Sequence, residues 1–230
     1  MEGSRAGPGR GQQLTVSIRL LVFDCDGVLF ESGDANIGFY NEVLRRVGEP
    51  AMTSALEEKC HAMSSPQFFE VYFADRPDMA ARVREMAIAT DYEPFYSLMH
   101  PAPGLHDLLD ALRAEGYDTA MATNRGRTVG RLLELFELDS RFDFSIGTLD
   151  VELPKPAPDM LLSCLERFAL EAREAVYLGD QDCDLQAATA AGLHFVGVGP
   201  VVAHAQLSIE AIGELPGLLT LLNEPGGSAT

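Results

Sequence analysis

The stretch LLVFDCDGVLFES, residues 20–32, decides how the rest of the chain is read. From Leu20 to Phe23 it is an apolar run suited to a strand buried on both faces, and the run stops at Asp24. Asp24 and Asp26 then flank Cys25, and Gly27 follows. Side chains of an extended chain alternate in direction, so the two carboxylates face one region while Cys25 faces away. Unit charges about 4 Å apart repel by roughly 4 kcal/mol at an effective dielectric near 20. Such a pair wants a cation, a shared proton or splayed side chains. A magnesium ion with an incoming phosphate meets that demand, one aspartate acting as nucleophile and metal ligand while the other moves protons. An Asx-rich turn leaving a strand accounts for the same residues without chemistry.

The 230 residues suffice for one sizeable core plus an insertion, or for two modest domains, and the apolar content of 47% is that of an ordinary globular protein. No apolar run approaches the length of a membrane span. The chain opens on a Gly- and Arg-rich segment with no signal-like apolar region behind it, because the next apolar segment carries Arg19. Residues 1–17 are therefore expected to be a disordered tail on a cytoplasmic protein, and 224–230 a flexible end. A net charge of −18 argues against nucleic acid and anionic membranes as partners. An anionic substrate must then be drawn in by local positive charge from a metal, a lysine or helix N-termini. Of the 17 basic residues only Lys59 and Lys155 are lysines, which singles both out. Cys25, Cys60, Cys164 and Cys183 show neither CxxC pairing nor His-rich spacing, which speaks against zinc and against a disulfide framework.

Residues 33–96 lack strand-like runs, and their apolar spacing predicts helices over 35–47, 52–63, 66–73 and 79–90. Phe68, Phe69, Tyr72, Phe73 and Met86 read as the core of this segment. After Pro101 the pattern changes. A helix between Pro103 and Gly116 leads to a strand over 117–122, and further helices are expected at 126–137, 156–170, 182–191 and 215–222. Strands are expected between them at 142–146, 175–178 and 195–198, with an edge strand at 207–209. Alternating strands and helices imply an α/β fold, a Rossmann-like three-layer core with a parallel sheet. Residues 18–32 and 97–223 would form that core and 33–96 an inserted all-helical domain, with hinges at the two crossings.

Open parallel sheets bind ligands beyond the carboxyl ends of their strands. Asp24 and Asp26 follow the first strand, Thr123 and Asn124 the second and Asp180 a later one, while Lys155 precedes a helix. Together they offer a nucleophile, a proton shuttle, a hydroxyl donor, a cation and further metal ligands, the inventory of phosphoryl transfer through an aspartyl phosphate. Taken singly, Thr123 could be a turn residue, Lys155 a solvated loop charge, and Asp180 and Asp184 helix caps.

DCDGV with its preceding strand, MATN, LPKPAPDML and GDQDCD, in that order, resemble the four motifs of the haloacid dehalogenase superfamily, in the branch with a helical cap after the first motif. The resemblance runs from about Leu20 to Gly199 and is strongest to phosphoglycolate phosphatase-type hydrolases. It implies a magnesium-dependent phosphatase acting on a small phosphorylated metabolite. Asp24 would attack phosphorus. Asp26 would protonate the leaving oxygen, later activate water, and offer its backbone carbonyl to Mg2+. Thr123 and the Asn124 N–H would bind the phosphoryl oxygens and Lys155 would neutralise charge. Asp180 would hold the metal with Asp184 in support, and Gly27 would let the backbone approach the phosphate.

Asp26 argues against the dehalogenase and phosphonoacetaldehyde hydrolase branches, which lack it. A beta-phosphoglucomutase-type reaction and a catalytically silent binding protein remain as alternatives. Glu31 is expected to shape the first loop, and Arg125 faces either substrate or solvent. The insertion's Arg45, Arg46, Lys59, Arg76, Arg82 and Arg84 are candidates for reading a second anionic group, although Lys59 beside Glu57 and Glu58 also reads as a surface charge. Cys25 and Cys183, in the loops of the expected site, raise the possibility of oxidation sensitivity.

Overall fold

The computed structural model describes residues 17–60, 65–200 and 204–223. The expected tail, apart from Ser17, and the expected flexible end lie outside the described residues, as does the side chain of Lys59. In chain order the strands are β1 (Leu20–Phe23), β2 (Phe30–Glu31), β3 (His100–Pro101), β4 (Asp118–Ala122), β5 (Phe144–Ile146), β6 (Ala175–Gly179), β7 (His194–Val198) and β8 (Leu207–Ile209). The helices are α1 (Gly33–Val47), α2 (Ser54–Cys60), α3 (Ser65–Tyr72), α4 (Pro77–Ala89), α5 (Leu105–Ala114), α6 (Val129–Leu135), α7 (Asp159–Phe168), α8 (Asp182–Ala191) and α9 (Leu215–Asn223).

Six strands form one parallel sheet in the order β5-β4-β1-β6-β7-β8. The central β1 is flanked by β4 and β6, with Val22 opposite Ala120 on one side and Tyr177 on the other. Side-chain alternation divides the sheet's apolar residues between two layers. Leu21, Phe23, Met121, Val176 and Leu178 pack into a cluster with Leu109 of α5 and Leu219 of α9. Leu20, Val22, Ala120, Ala122 and Tyr177 face the opposite layer, against Met160 and Leu161 of α7 and Ala187 of α8. Both faces are covered, as the continuous apolar run at Leu20–Phe23 requires.

Helices α1 to α4 lie between β1 and β4 in the chain. Phe68, Phe69 and Phe73 are buried among them, with Tyr40 stacked on Phe68 at a ring separation of 4.9 Å. Their cluster is continuous with the α5–α9 layer of the sheet. The chain leaves and re-enters the sheet unit through β2 and β3, which pair antiparallel, Phe30 opposite Pro101 and Glu31 opposite His100. Two-residue strands carry no periodic signal, and sequence reading passed over them. It also passed over the 3-10 turn at Glu93–Leu98, which packs against α1. Helices α6 and α7 are shorter than their apolar spacing predicts. Left-handed backbone at Glu137 (φ 56°) and Ala169 (φ 52°) ends the helical path beyond each, and the residues ahead of α7 form the loop that carries Lys155.

Candidate active site

At Asp24 the chain stops running as a strand, although its N–H still donates to the Leu178 carbonyl at 2.9 Å. A tight turn follows: the N–H groups of Leu29 and Phe30 both donate to the Cys25 carbonyl, and Gly27 adopts φ 77°. A Cβ built on Gly27 would lie 2.1 Å from Asp180 Oδ2. The absent side chain thus admits the Asp180 carboxylate, a demand additional to the expected approach of phosphate. The repulsion foreseen between Asp24 and Asp26 is relieved by giving each carboxylate its own cation.

Asp24 belongs to a buried cluster centred on Lys155, whose Nζ donates to Asp24 Oδ1, Asp184 Oδ1 and the Tyr177 hydroxyl, each at 2.7 Å. The Tyr177 hydroxyl lies 2.9 Å from Asp184 Oδ1 and 3.3 Å from the Ala122 carbonyl. Lys155 is only 2% exposed, so it is not a solvated loop charge. Its backbone is clamped by the Asn124 side chain, which accepts from the Lys155 N–H at 3.0 Å and donates to the Lys155 carbonyl at 3.1 Å. Burial pushes the Lys155 ammonium toward neutrality, but Asp184 and Asp24 outweigh it and hold the ammonium charged. Burial drives Asp24 well above the ordinary carboxylate range; Lys155 opposes this, while Asp184, Asp180 and Asp26 add to it.

Asp26 sits in a second cluster. Arg125 Nε donates to its Oδ2 at 2.8 Å and Nη2 to its Oδ1 at 2.6 Å, and Oδ1 also accepts from the Ser32 hydroxyl and from Asn36 Nδ2 at 3.2 Å. Burial raises the Asp26 pKa, but the charge of Arg125 and these hydrogen bonds prevail and lower it. Arg125 Nη2 also reaches the Tyr92 hydroxyl at 3.2 Å and Asn36 Oδ1 at 3.3 Å, and the guanidinium lies 5.1 Å from the Tyr92 ring centroid. Thr123 Oγ accepts the Arg125 N–H at 3.1 Å, which leaves its own hydroxyl hydrogen available to a ligand.

Asp24, Asp180 and Asp184 each bring one carboxylate oxygen to within 4.8 Å of the others. Gln181 Nε2 donates to Asp180 Oδ2 at 2.8 Å, whereas Asp180 Oδ1 is buried without a hydrogen-bond partner, alone in this among the described side chains. Burial, with a push from Asp184, raises the Asp180 carboxyl to about 7. A buried orphan oxygen among clustered carboxylates is the donor set a hard divalent cation selects, so these residues fit Mg2+. Asp184 also caps α8 by accepting the Gln181 N–H at 3.1 Å, in addition to its contact with Lys155.

The clusters border one cavity of about 600 Å³, lined by Asp24, Asp26, Thr123, Asn124, Arg125 and Lys155 on the sheet side. Phe39, Tyr40, Tyr92 and Tyr96 line it from the insertion side. Among the insertion's candidate cations Arg84 lines this cavity, whereas Arg45 and Arg46 pair with Glu42, Arg76 pairs with Glu49, and Arg82 is exposed. Burial holds the Cys25 thiol well above its usual range and pushes Cys183 up to about 12, which disfavours the thiolate form of both. Sequence reading left Arg125 undecided and missed Tyr177, Asn36 and Tyr92. The position of Arg125 directly after Thr123 and Asn124, at the same strand end, was the available signal.

A parallel sheet with these carboxylates and a buried lysine at the carboxyl ends of its strands defines a class, and the comparison with known families agrees. The chain belongs to the haloacid dehalogenase-like hydrolase family, which it matches over residues 21–198. It is 30% identical over 189 residues to phosphoglycolate phosphatase from Pseudomonas putida, spanning 78% of this chain and 69% of that one. To pyrophosphatase PpaX from Bacillus velezensis it is 25% identical over 190 residues, covering 82% and 87% of the two chains. A haloacid dehalogenase-superfamily hydrolase of subfamily IA from Geobacter sulfurreducens shares its fold with a TM-score of 0.77 at 31% identity, covering 88% of this chain and 100% of that one. Among the described residues, no helix is long and apolar enough to cross a membrane.

Proposed function

We propose that the protein is a Mg2+-dependent phosphomonoester hydrolase, phosphoglycolate phosphatase-like, that carries the phosphoryl group on Asp24. The observation that bears most weight is the buried contact of 2.7 Å between Lys155 Nζ and Asp24 Oδ1 at the wall of the cavity. It keeps an ammonium beside the one carboxylate that must meet an anionic phosphate.

In this reading an Asp24 oxygen attacks phosphorus while the bond from phosphorus to the leaving oxygen breaks. Asp26, held as a carboxylate beside Arg125, first takes up a proton from solvent and passes it to that oxygen, and the alcohol departs. Asp26, now a carboxylate, takes a proton from water as the water oxygen attacks phosphorus, and the bond from phosphorus to the Asp24 oxygen breaks to return the carboxylate and free phosphate. Thr123 and the Asn124 N–H orient the phosphoryl oxygens, and Lys155 balances charge beside Asp24 throughout. Asp24, Asp180, Asp184 and the Asp26 carbonyl would hold Mg2+, which supplies neutralisation of the charge developing on the transferred group. Residues 33–96 act as the cap over a core of 18–32 and 97–223, excluding water from the first step. The substrate is a small phosphorylated metabolite and the setting cytoplasmic.

Mg2+-dependent release of phosphate from p-nitrophenyl phosphate, abolished in Asp24→Asn and by EDTA, is the expected result. Release that persists in Asp24→Asn would overturn the assignment of the nucleophile.

A further inference from the structure

Three tyrosines among the described residues line the cavity, and two of their hydroxyls are spent within the protein. Tyr92 donates to Asn36 Oδ1 at 2.8 Å, and Tyr96 donates to the Thr128 carbonyl at 3.0 Å. The third hydroxyl, on Tyr40, has no hydrogen-bond partner among the described residues, although Tyr40 is only 5% exposed. A buried hydroxyl left unpaired costs free energy, so one held at a cavity wall is a donor kept for what enters the cavity.

The helix that carries Tyr40 sets its place. In α1, Asn36 and Tyr40 are four residues apart and share a face, with Tyr40 about 6 Å further along the axis. Asn36 touches Asp26 Oδ1, so Tyr40 stands one turn beyond the carboxylate that serves the leaving oxygen. Burial, then Cys60, Asp26 and Tyr92, raise the Tyr40 phenol above its usual range, and Arg125 opposes them. The hydroxyl therefore stays a donor in ordinary buffers. Its ring is held in place, since Phe68 stacks on it at 4.9 Å and the edge of Phe69 meets it at 5.4 Å.

The arginines beside the cavity are already engaged: Arg84 with Glu70, Arg125 with Asp26, Arg131 with Glu93, and Arg127 with the Ile88 carbonyl. A neutral oxygen asks none of these contacts to open, and it brings no unpaired charge against the rings of Phe39, Tyr92 and Tyr96. The volume of about 600 Å³ has room for a chain or ring beyond the phosphoryl group.

We infer that Tyr40 binds the substrate: its hydroxyl donates a hydrogen bond to a hydroxyl oxygen of the departing alcohol, which makes polyol or sugar phosphates the substrate class. The inference rests on the phosphomonoester hydrolase reading and names the alcohol.

The test compares the full chain with Tyr40→Phe, which removes one oxygen and keeps the ring against Phe68, both with Mg2+ present. Three pairs of probes set a hydroxylated alcohol against a counterpart without those hydroxyls. They are ethylene glycol monophosphate and ethyl phosphate, glycerol 1-phosphate and propyl phosphate, and glucose 6-phosphate and cyclohexylmethyl phosphate. In at least one pair, kcat/KM for the hydroxylated member should fall about tenfold in Tyr40→Phe while its counterpart stays within about twofold. A role confined to packing would lower both members alike, and a hydroxyl that meets only water would lower neither. Either result across all three pairs overturns the inference. Both members are assayed on one preparation, so partial unfolding cancels from their ratio, and Tyr40→Leu supplies a second measurement should the Phe variant not fold. Hydrolysis of p-nitrophenyl phosphate separates the two levels of inference. If the parent hydrolyses it while no pair shows the differential loss, the assignment of Tyr40 alone falls; if the parent releases phosphate from no probe, the phosphatase reading falls with it.

Discussion

Replacing Lys155 by Met tests the buried cluster that organises the site. The substitution keeps most of the side-chain volume but removes the ammonium shared by Asp24, Asp184 and Tyr177. Asp24 and Asp184 are 6% and 1% exposed, so water cannot take over the lost role. Removing one partner of a buried ionic group destabilises by about 3–5 kcal/mol. In a chain of this size that is a fall in Tm of roughly 6–20 °C. The deficit should depend on pH with a definite sign. Asp24 already has its folded pKa above the unfolded value, and losing Lys155 removes the influence that lowers it. The folded variant therefore takes up a proton at higher pH than its unfolded chain. The deficit relative to the parent is full above the variant's folded pKa and shrinks as pH falls through it toward the parent's own, lower folded value. Urea unfolding of both proteins in EDTA, followed by circular dichroism at about pH 8 and about pH 5, measures this. A Lys155→Met protein within about 0.5 kcal/mol of the parent at the higher pH, or with the same deficit at both, would refute the reasoning.

Two further outcomes follow from the carboxylate cluster. With Asp180 held near 7 by burial, protons compete with Mg2+ for its oxygens, so the rise in Tm on adding Mg2+ should be larger at about pH 8 than at about pH 6, and equal rises in a thermal-shift assay would contradict that. Gly27→Ala combines left-handed backbone with a Cβ 2.1 Å from Asp180 Oδ2; it should lower stability by about 1–2 kcal/mol and weaken Mg2+ binding, and unchanged Mg2+ affinity by titration calorimetry would show that Asp180 does not depend on the room Gly27 leaves.

The sheet was legible in the sequence because its strands are short apolar runs ended by turn residues, and because β1 is buried on both faces. Thr123, Asn124, Lys155 and Asp180 could be placed at one sheet edge from chain order alone. What could not be read depends on direction in space. Whether Arg125 turns toward Asp26 or toward solvent is a matter of side-chain torsion, and a tyrosine such as Tyr177 shows its hydroxyl's use only once the register opposite Val22 is fixed. The turn at Asp24 separated two carboxylates that simple alternation would have kept together. Ion pairs such as Arg76 with Glu49 join residues 27 apart in the sequence, a separation no local pattern encodes.

The pairing of β2 with β3 sets the exit and return of the chain side by side at the sheet unit. Material spliced between these neighbouring ends need not match any particular length, since its endpoints meet regardless. Exchange of the helices between β2 and β3 for a segment of another length should therefore leave the strand ladder undisturbed.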